Sequence, residues 1–301
     1  MMMTKRYIIA ENAVTITVED DLPAWEMIEA RYFPFESDQS QDPALEVDIK
    51  CSSIPECEAE IIYKPEPNEI GPTIATVARD TEGSFIFEFT HESESQPRLW
   101  MKMPSDFSRA EIILSPENKN DDYYFLTHAL MIAFMLATSG NGTLLIHSSC
   151  VVYDGKAYLF KGKSGTGKST HARLWLQNIE GARLLNDDNP LIRFTEDGVA
   201  KVYGSPWSGK TPCYRNASAP IGAFVRIVRS ADNELRPLSP LKAYASLTAS
   251  VAFMPFVSEK LREIRHKTIE RLAMTVPCYE MHCRPDADAA LTCQAGLMAN
   301  D

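Results

Sequence analysis

The stretch GKSGTGKST, Gly162 to Thr170, is the part of this 301-residue chain with the plainest chemistry. Gly162, Gly167, Lys168 and Ser169 satisfy the spacing G-x-x-x-x-G-K-[ST], with Lys163, Ser164, Gly165 and Thr166 inside it and Thr170 directly after it. Glycines at these places let the backbone turn with its N–H groups inward, where they cradle phosphate oxygens. A helix beginning near Lys168 points the positive end of its dipole at the same anion. Lys168 adds a charge near the β- and γ-phosphates, and the Ser169 hydroxyl is placed to ligate Mg²⁺. Lys161 and Lys163 raise the local potential further. The pattern predicts a nucleoside triphosphate site for ATP and Mg²⁺, covering residues 162–170. A glycine-rich turn that binds nothing is the competing reading.

Two acids follow. Asp187 and Asp188 close the apolar run ARLL, about twenty residues after Lys168. Such a pair can hold a metal ion and accept the proton of an attacking hydroxyl, although Asp-Asn clusters also make ordinary turns. His147 stands on the first strand of a hairpin whose return strand leads into the glycine-rich loop, which brings it alongside. The segment YGSPWSGKTPCYRN, 203–216, is glycine-bearing and cationic. In it Gly209 and Lys210 offer a second anion contact, and Arg215 can stabilise charge on a transferring phosphoryl group. Trp207 suits either a base-stacking role or the core. His171 reads as a surface or supporting residue, and Cys213 as an inert thiol.

Around these residues the chain organises into two parts. Residues 1–118 are β-rich: AVTITV, LEVDI, AEIIY, FIFEF, LWMKM and AEIIL alternate with polar or proline-bearing connectors. From 119 to 301 the pattern is mixed. DDYYFLTHALMIAFMLATSGNG is apolar on most sides and reads as a central helix. TLLIHSSCVVY and AYLFKG then form strands around an Asp-Gly turn. KSTHARLWLQNI has helical spacing, with Ala172, Leu174, Leu176 and Ile179 as its apolar stripe. Strands at ARLL, PLIRF, VAKVY, IGAFVRIVR and CYEMHC, and helices near 240–251, 258–274 and 285–298, complete an α/β (α+β) reading.

Composition narrows the partners. The formal net charge of −11 repels polyanions and argues against nucleic acid. The longest apolar stretch, 129–137, is too short to span a bilayer, so no membrane partner is expected. Seven cysteines without a CxxC pair read as reduced thiols in a cytoplasmic protein. Self-association is left open.

HSSCVVYDGKAYLFKGKSGTGKST together with LLNDDNPLIR resembles the HPr kinase/phosphorylase catalytic domain and the related phosphoenolpyruvate carboxykinase fold. In both, a β-hairpin precedes the loop and an Asp-Asp pair follows on the next strand. The HPr kinase pattern sets a histidine 21 residues before the loop lysine, as His147 stands before Lys168. The resemblance covers roughly 140–195. It implies a phosphoenolpyruvate carboxykinase-like P-loop core with mixed sheets, and it implies that Asp188 serves as the proton acceptor. The chain departs from that pattern in 203–216, where the family carries a metal-binding Glu and this segment has none.

The reading that results is an ATP-dependent phosphotransferase, with a hydroxyl acceptor on a protein or small metabolite. Lys168 holds the triphosphate, Ser169, Asp187 and Asp188 form the metal side, Asp188 takes the proton, and His147 and Arg215 assist. An ATP-binding regulatory protein with little turnover is the alternative from another class. A carboxykinase-like enzyme is the third.

Overall fold

The computed structural model describes residues 1–64, 73–91, 94–116, 122–252 and 254–299. Two compact units divide it: Met1–Gly140 with Met254–Val257, and Asn141–Phe253 with Ser258–Asp301. Each unit holds one mixed sheet, and the described residues include six α-helices.

The first unit begins with β1 (Met2–Ile9), β2 (Asn12–Glu19), α1 (Pro23–Tyr32) and β3 (Leu45–Cys51). It continues with β4 (Ala59–Tyr63), β5 (Thr73–Asp80), β6 (Phe85–His91), β7 (Leu99–Met103), β8 (Arg109–Leu114) and α2 (Asp122–Thr138). The strand order is β1-β2-β3-β8-β7-β6-β5-β4. The pairings β2–β3 and β3–β8 are parallel and the rest antiparallel. Alternation sets the buried face: Val14, Ile16 and Val18 on β2, and Leu45, Val47 and Ile49 on β3, are all buried.

Helix α2 packs on α1, β3, β7 and β8. By length and composition the stretch Asp122–Asn141 is apolar enough to cross a membrane. Phe125, Leu126, Ala129, Leu130, Ala133 and Phe134 are buried in the structure, as in a core helix. The expected boundary at 118/119 lies within 117–121, outside the described residues, as do 65–72 and 92–93 of the expected connectors. Because α2 packs on strands of the first sheet, the division falls after it, at Gly140, and not before it. Strands β1 and β5 and helix α1 were not expected. Pro23 at the first turn of α1 and the 25/28/32 spacing of Trp25, Ile28 and Tyr32 carry its signal.

The second unit comprises β9 (Leu144–Leu145), β10 (Ser148–Tyr153), β11 (Lys156–Lys161), α3 (Lys168–Asn178), β12 (Arg183–Asp188) and β13 (Leu191–Phe194). After these come β14 (Ala200–Tyr203), β15 (Ser218–Arg229), β16 (Glu234–Pro237), α4 (Pro240–Thr248), α5 (Glu259–Thr275), β17 (Cys278–Cys283) and α6 (Ala287–Met298). The strands run β12-β10-β11-β15-β14-β13-β9, with β17 joining β15 and β16. β10 and β11 form the expected hairpin. Asp154 and Gly155 both take positive φ (49° and 74°), which matches the right-handed twist of the strands they join.

Strand β15 organises this unit. Its first residues pair with β14, and its later ones lie parallel to both β11 and β17. Period two along β11 splits the core. Tyr158 and Phe160 pack with Trp175 of α3 and Ala290 and Cys293 of α6. Leu159 packs with Leu247 of α4 and Ile269 and Leu272 of α5. The glycine-rich loop thus leaves a buried strand sandwiched between two helical layers.

Two sequence expectations change. TLLIHSSCVVY is not one strand. It breaks at Ile146–His147, because β9 pairs with β13 while β10 lies between β12 and β11. The break is held by bonds from Ile146 N to Pro190 O (3.2 Å) and from His147 N to Ser250 O (2.9 Å). His147 therefore lies at a crossing between two strands and not on the hairpin. On α3 the inward stripe is Lys168, His171, Ala172 and Trp175, with Ile179 just beyond, while Leu176 faces outward. The 3.6-residue period is kept, and its phase is set by Trp175 against Tyr158 and Phe160.

Trp175 is fully buried between these rings. Trp175→Ala should lower the stability of the protein by about 3–5 kcal/mol in a urea titration, from lost burial and the cavity left behind. A loss below about 1 kcal/mol would show that α3 is not anchored through this side chain.

Candidate functional site

The loop runs from the end of β11 to the start of α3. Gly162 has φ +152°, and a Cβ there would stand 2.7 Å from Thr166 Oγ1, so the crossing is too tight for a side chain. Thr166 folds back on Lys163, its N–H and hydroxyl both donating to the Lys163 carbonyl at 3.2 and 2.8 Å. The Arg229 guanidinium, at the end of β15, donates to the Gly165 carbonyl. Gly167 is the N-cap of α3 and provides no side-chain cap, so the amides of the first turn are not taken by a side-chain cap.

Lys168 is buried at 8% exposure, and its ammonium turns back under the loop. It donates to the carbonyls of Gly162 (3.2 Å) and Lys163 (3.5 Å) and to His147 Nε2 at 2.8 Å. His147 Nδ1 is 3.0 Å from Asp188 Oδ1. An ammonium only donates, so Nε2 accepts and Nδ1–H donates to the carboxylate. Lys168, His147 and Asp188 thus form one continuous hydrogen-bonded line. Burial holds the Lys168 pKa below its ordinary value, and the charges of Asp188 and Asp187 oppose that shift.

Asp187 lies behind the line at 2% exposure. Its Oδ1 accepts from Ser149 Oγ at 2.5 Å, and Ser149 Oγ is 3.4 Å from Ser169 Oγ. Its Oδ2 is buried with no hydrogen-bond partner. A buried carboxylate oxygen left unsatisfied is costly unless a cation completes it. No group of three or more His, Cys, Asp and Glu residues suited to a metal occurs among the described residues. The donor set here is instead one carboxylate and two hydroxyls, which fits Mg²⁺, an ion that keeps waters and phosphate oxygens in most of its shell. Ser149 escaped the sequence reading, although it stands two residues after His147 on the strand that pairs with β12.

Part of 203–216 also reaches the acidic corner. Asp188 bridges to Ser208, and Gly209 N donates to Asp187 O at 2.6 Å. A Cβ on Gly209 would stand 2.7 Å from that same carbonyl, so only glycine lets the segment close on the corner. Trp207 is buried, and its carbonyl accepts from Asn186 Nδ2 at 3.0 Å, which places it in the packing and not on a nucleobase. Lys210 follows Gly209 and is exposed. Arg215 is exposed and interacts with Cys213, whose thiol is pushed up by burial. Among the described residues neither Lys210 nor Arg215 makes a hydrogen bond or ion pair to 162–170, so the structure does not join Arg215 to the other candidates.

His171 is in the core and not at the surface. Its Nε2 accepts from Trp175 Nε1 at 3.2 Å, and burial lowers its pKa to about 4. The structure also shows cavities on both sides of the loop. One of about 360 Å³ is lined by Thr166, Thr170, Leu174, Arg229 and Arg284. The other, of about 520 Å³, is lined by His147, Lys161, Lys163, Lys242 and Ser246. Lys161 is 1% exposed, its ammonium bonded to the Ser246 hydroxyl, and burial lowers its pKa to about 8.

The fold and site define a mixed α/β protein with a glycine-rich loop between a buried strand and a helix. The model of one family, SynChlorMet cassette protein ScmC, matches residues 113–286, more than half of the chain, and the chain belongs to that family. No curated protein matches it. Among solved structures it is similar to the HPr(Ser) kinase/phosphatase from Coxiella burnetii, with 11% identity, a TM-score of 0.31, and coverage of 52% of this chain and 94% of that one.

Lys161 yields a stability prediction with a definite sign. Its pKa falls from 10.5 to about 8 on folding, so the unfolded chain binds more protons between these values and stability rises with pH across that window. Below pH 8 the buried charge costs about 3 kcal/mol. Lys161→Met should therefore be more stable than the parent at pH 7 by up to that amount, and the gap should close toward pH 10.5. Urea titrations at pH 7 and pH 10 check it, and a less stable variant at pH 7 would contradict it.

Proposed function

We propose that this chain is an ATP-dependent phosphotransferase of the HPr kinase kind, which moves the γ-phosphoryl group to a hydroxyl acceptor. The observation that carries this reading is the line Lys168–His147–Asp188, which links the loop cation to a carboxylate placed to accept a proton. The loop amides and the α3 N-terminus supply the phosphate cradle. Lys163, Ser164, Gly165, Thr166, Ser169 and Thr170 belong to that cradle, and Lys168 leaves the loop carbonyls for the phosphates. Ser169, Ser149 and Asp187 would hold Mg²⁺, together with Asp188. Bound there, Mg²⁺ would neutralise charge gathering on the phosphate oxygens.

In the transfer itself the acceptor oxygen bonds to the γ-phosphorus. The bond from that phosphorus to the β–γ bridging oxygen breaks, and its electron pair leaves with ADP. The hydroxyl proton passes to Asp188, which His147 holds in position. Phosphoryl transfer requires placement and charge stabilisation more than covalent chemistry. The site residues offer both without a nucleophilic side chain.

Asp188→Asn removes the proton acceptor but keeps the shape. It should bind the Mg²⁺ complex of ATP within about twofold of the parent while its transfer rate falls by roughly 10²–10⁴. His147→Gln should lose less, because it positions the carboxylate and takes no proton. Single-turnover measurements of ADP formation, alongside nucleotide binding, check both. Transfer by Asp188→Asn at the parent rate would remove Asp188 from the mechanism. Asp187→Asn should raise the Mg²⁺ concentration needed for half-maximal nucleotide binding, and an unchanged Mg²⁺ requirement would contradict its place at the metal.

A further inference from the structure

The larger cavity beside the loop has a charge balance unlike the rest of the molecule. The chain carries a net charge of −11. Yet Lys161, Lys163, Lys242, Arg226 and His147 line this space against a single carboxylate, Glu280. Glu280 is already engaged by Arg226 at 2.8 Å and by His282 at 3.3 Å. Lys161 is the unusual member. It is 1% exposed, and its hydrogen-bond partner among the described residues is a neutral hydroxyl, that of Ser246. Among the described residues no carboxylate lies within ion-pair distance of it. A buried ammonium without an anion is unfavourable, and a hydrophobic side chain at the same point would be better tolerated. The alternation of β11 places it on the α4/α5 face with Leu159, whereas Lys168 belongs to the loop and α3.

We propose that this cavity of about 520 Å³ is the acceptor site and seats a small hydroxylated acid. Its anionic group pairs with Lys161 and Lys242, and its hydroxyl turns toward His147 and Asp188. The inference rests on the phosphotransferase reading and narrows its acceptor to a small anionic metabolite. The size of the cavity suits such a molecule, and the ammonium in its wall lies too deep for a cation that merely decorates a surface. His147 belongs both to this cavity and to the Lys168–Asp188 line, so an acid held at Lys161 lies next to the residue that positions Asp188, the proton acceptor.

The test uses the full chain with Mg²⁺ and a non-hydrolysable ATP analogue. Binding of glycerate, lactate, malate and glycerol 3-phosphate is compared by calorimetry with binding of glycerol and 1,2-propanediol, which share the hydroxyls but lack the charge. At least one acid should bind with a dissociation constant of about 1 mM or lower, and the diols should not. Lys161→Met should weaken that acid by about tenfold or more while leaving the affinity for the analogue within about twofold, which also shows the variant to be folded. Absence of acid binding by a parent that takes up the analogue, or equal acid binding by Lys161→Met, would overturn the inference and leave the nucleotide reading standing. Failure of the parent to bind the analogue would overturn both.

Discussion

An ammonium buried at a loop needs acceptors, and the arrangement around Lys168 follows from that requirement. With 8% exposure it cannot be satisfied by bulk water. It takes the carbonyls of Gly162 and Lys163 and the Nε2 of His147, and through His147 it is coupled to Asp188. The Lys168 ammonium therefore ties the loop carbonyls to His147. On the phosphotransferase reading proposed above, a triphosphate would offer that ammonium stronger, charged acceptors than the loop carbonyls.

The fold supports this geometry through pairings far apart in the chain. The hairpin of β10 and β11 delivers the loop, and β12 runs antiparallel to β10, so that Ser149 stands opposite Asp187. The break at Ile146–His147 lets the chain leave β13 and run on as β10 between β11 and β12, and it leaves His147 where the two pieces meet. Gly209 closes the corner from the other side by approaching the Asp187 carbonyl more closely than any side chain would allow.

Much of this was legible in sequence because it is local. The spacing of Gly162, Gly167, Lys168 and Ser169 is a pattern within one turn of chain, and the Asp187–Asp188 pair ends an apolar run. The two strands of the hairpin, the helix after the loop and the closing helix follow from periodicity and turn residues. Other features depend on partners distant in sequence. Arg229 reaches the Gly165 carbonyl only because β15 lies parallel to β11, a pairing that no local pattern announces. The sequence sets His147 on a strand because strand-like runs, TLLI and CVVY, flank it, and only the pairing of β9 with β13 separates the two pieces. The sequence gives His171 a surface or supporting place, yet the phase of α3 is set by Trp175, four residues on, which carries His171 inward with it. Lys161 looked like one more loop cation. Its burial follows from the parity of β11 and from α4 packing over that face. Arg215 drew attention by its charge, and its place beside Cys213 reflects the path of 203–216 past Gly204, where a Cβ would meet the Arg215 carbonyl at 2.0 Å.

The most direct measurement is the nitrogen-15 shift pair of the His147 ring, with and without Mg²⁺ and a non-hydrolysable ATP analogue. In the free protein Nε2 should be the unprotonated acceptor and Nδ1 the protonated nitrogen. Addition of the analogue should shift Nε2 as Lys168 transfers to phosphate, while Nδ1 stays protonated against Asp188. A ring protonated at Nε2 in the free protein, with neither nitrogen responding to the analogue, would contradict the account.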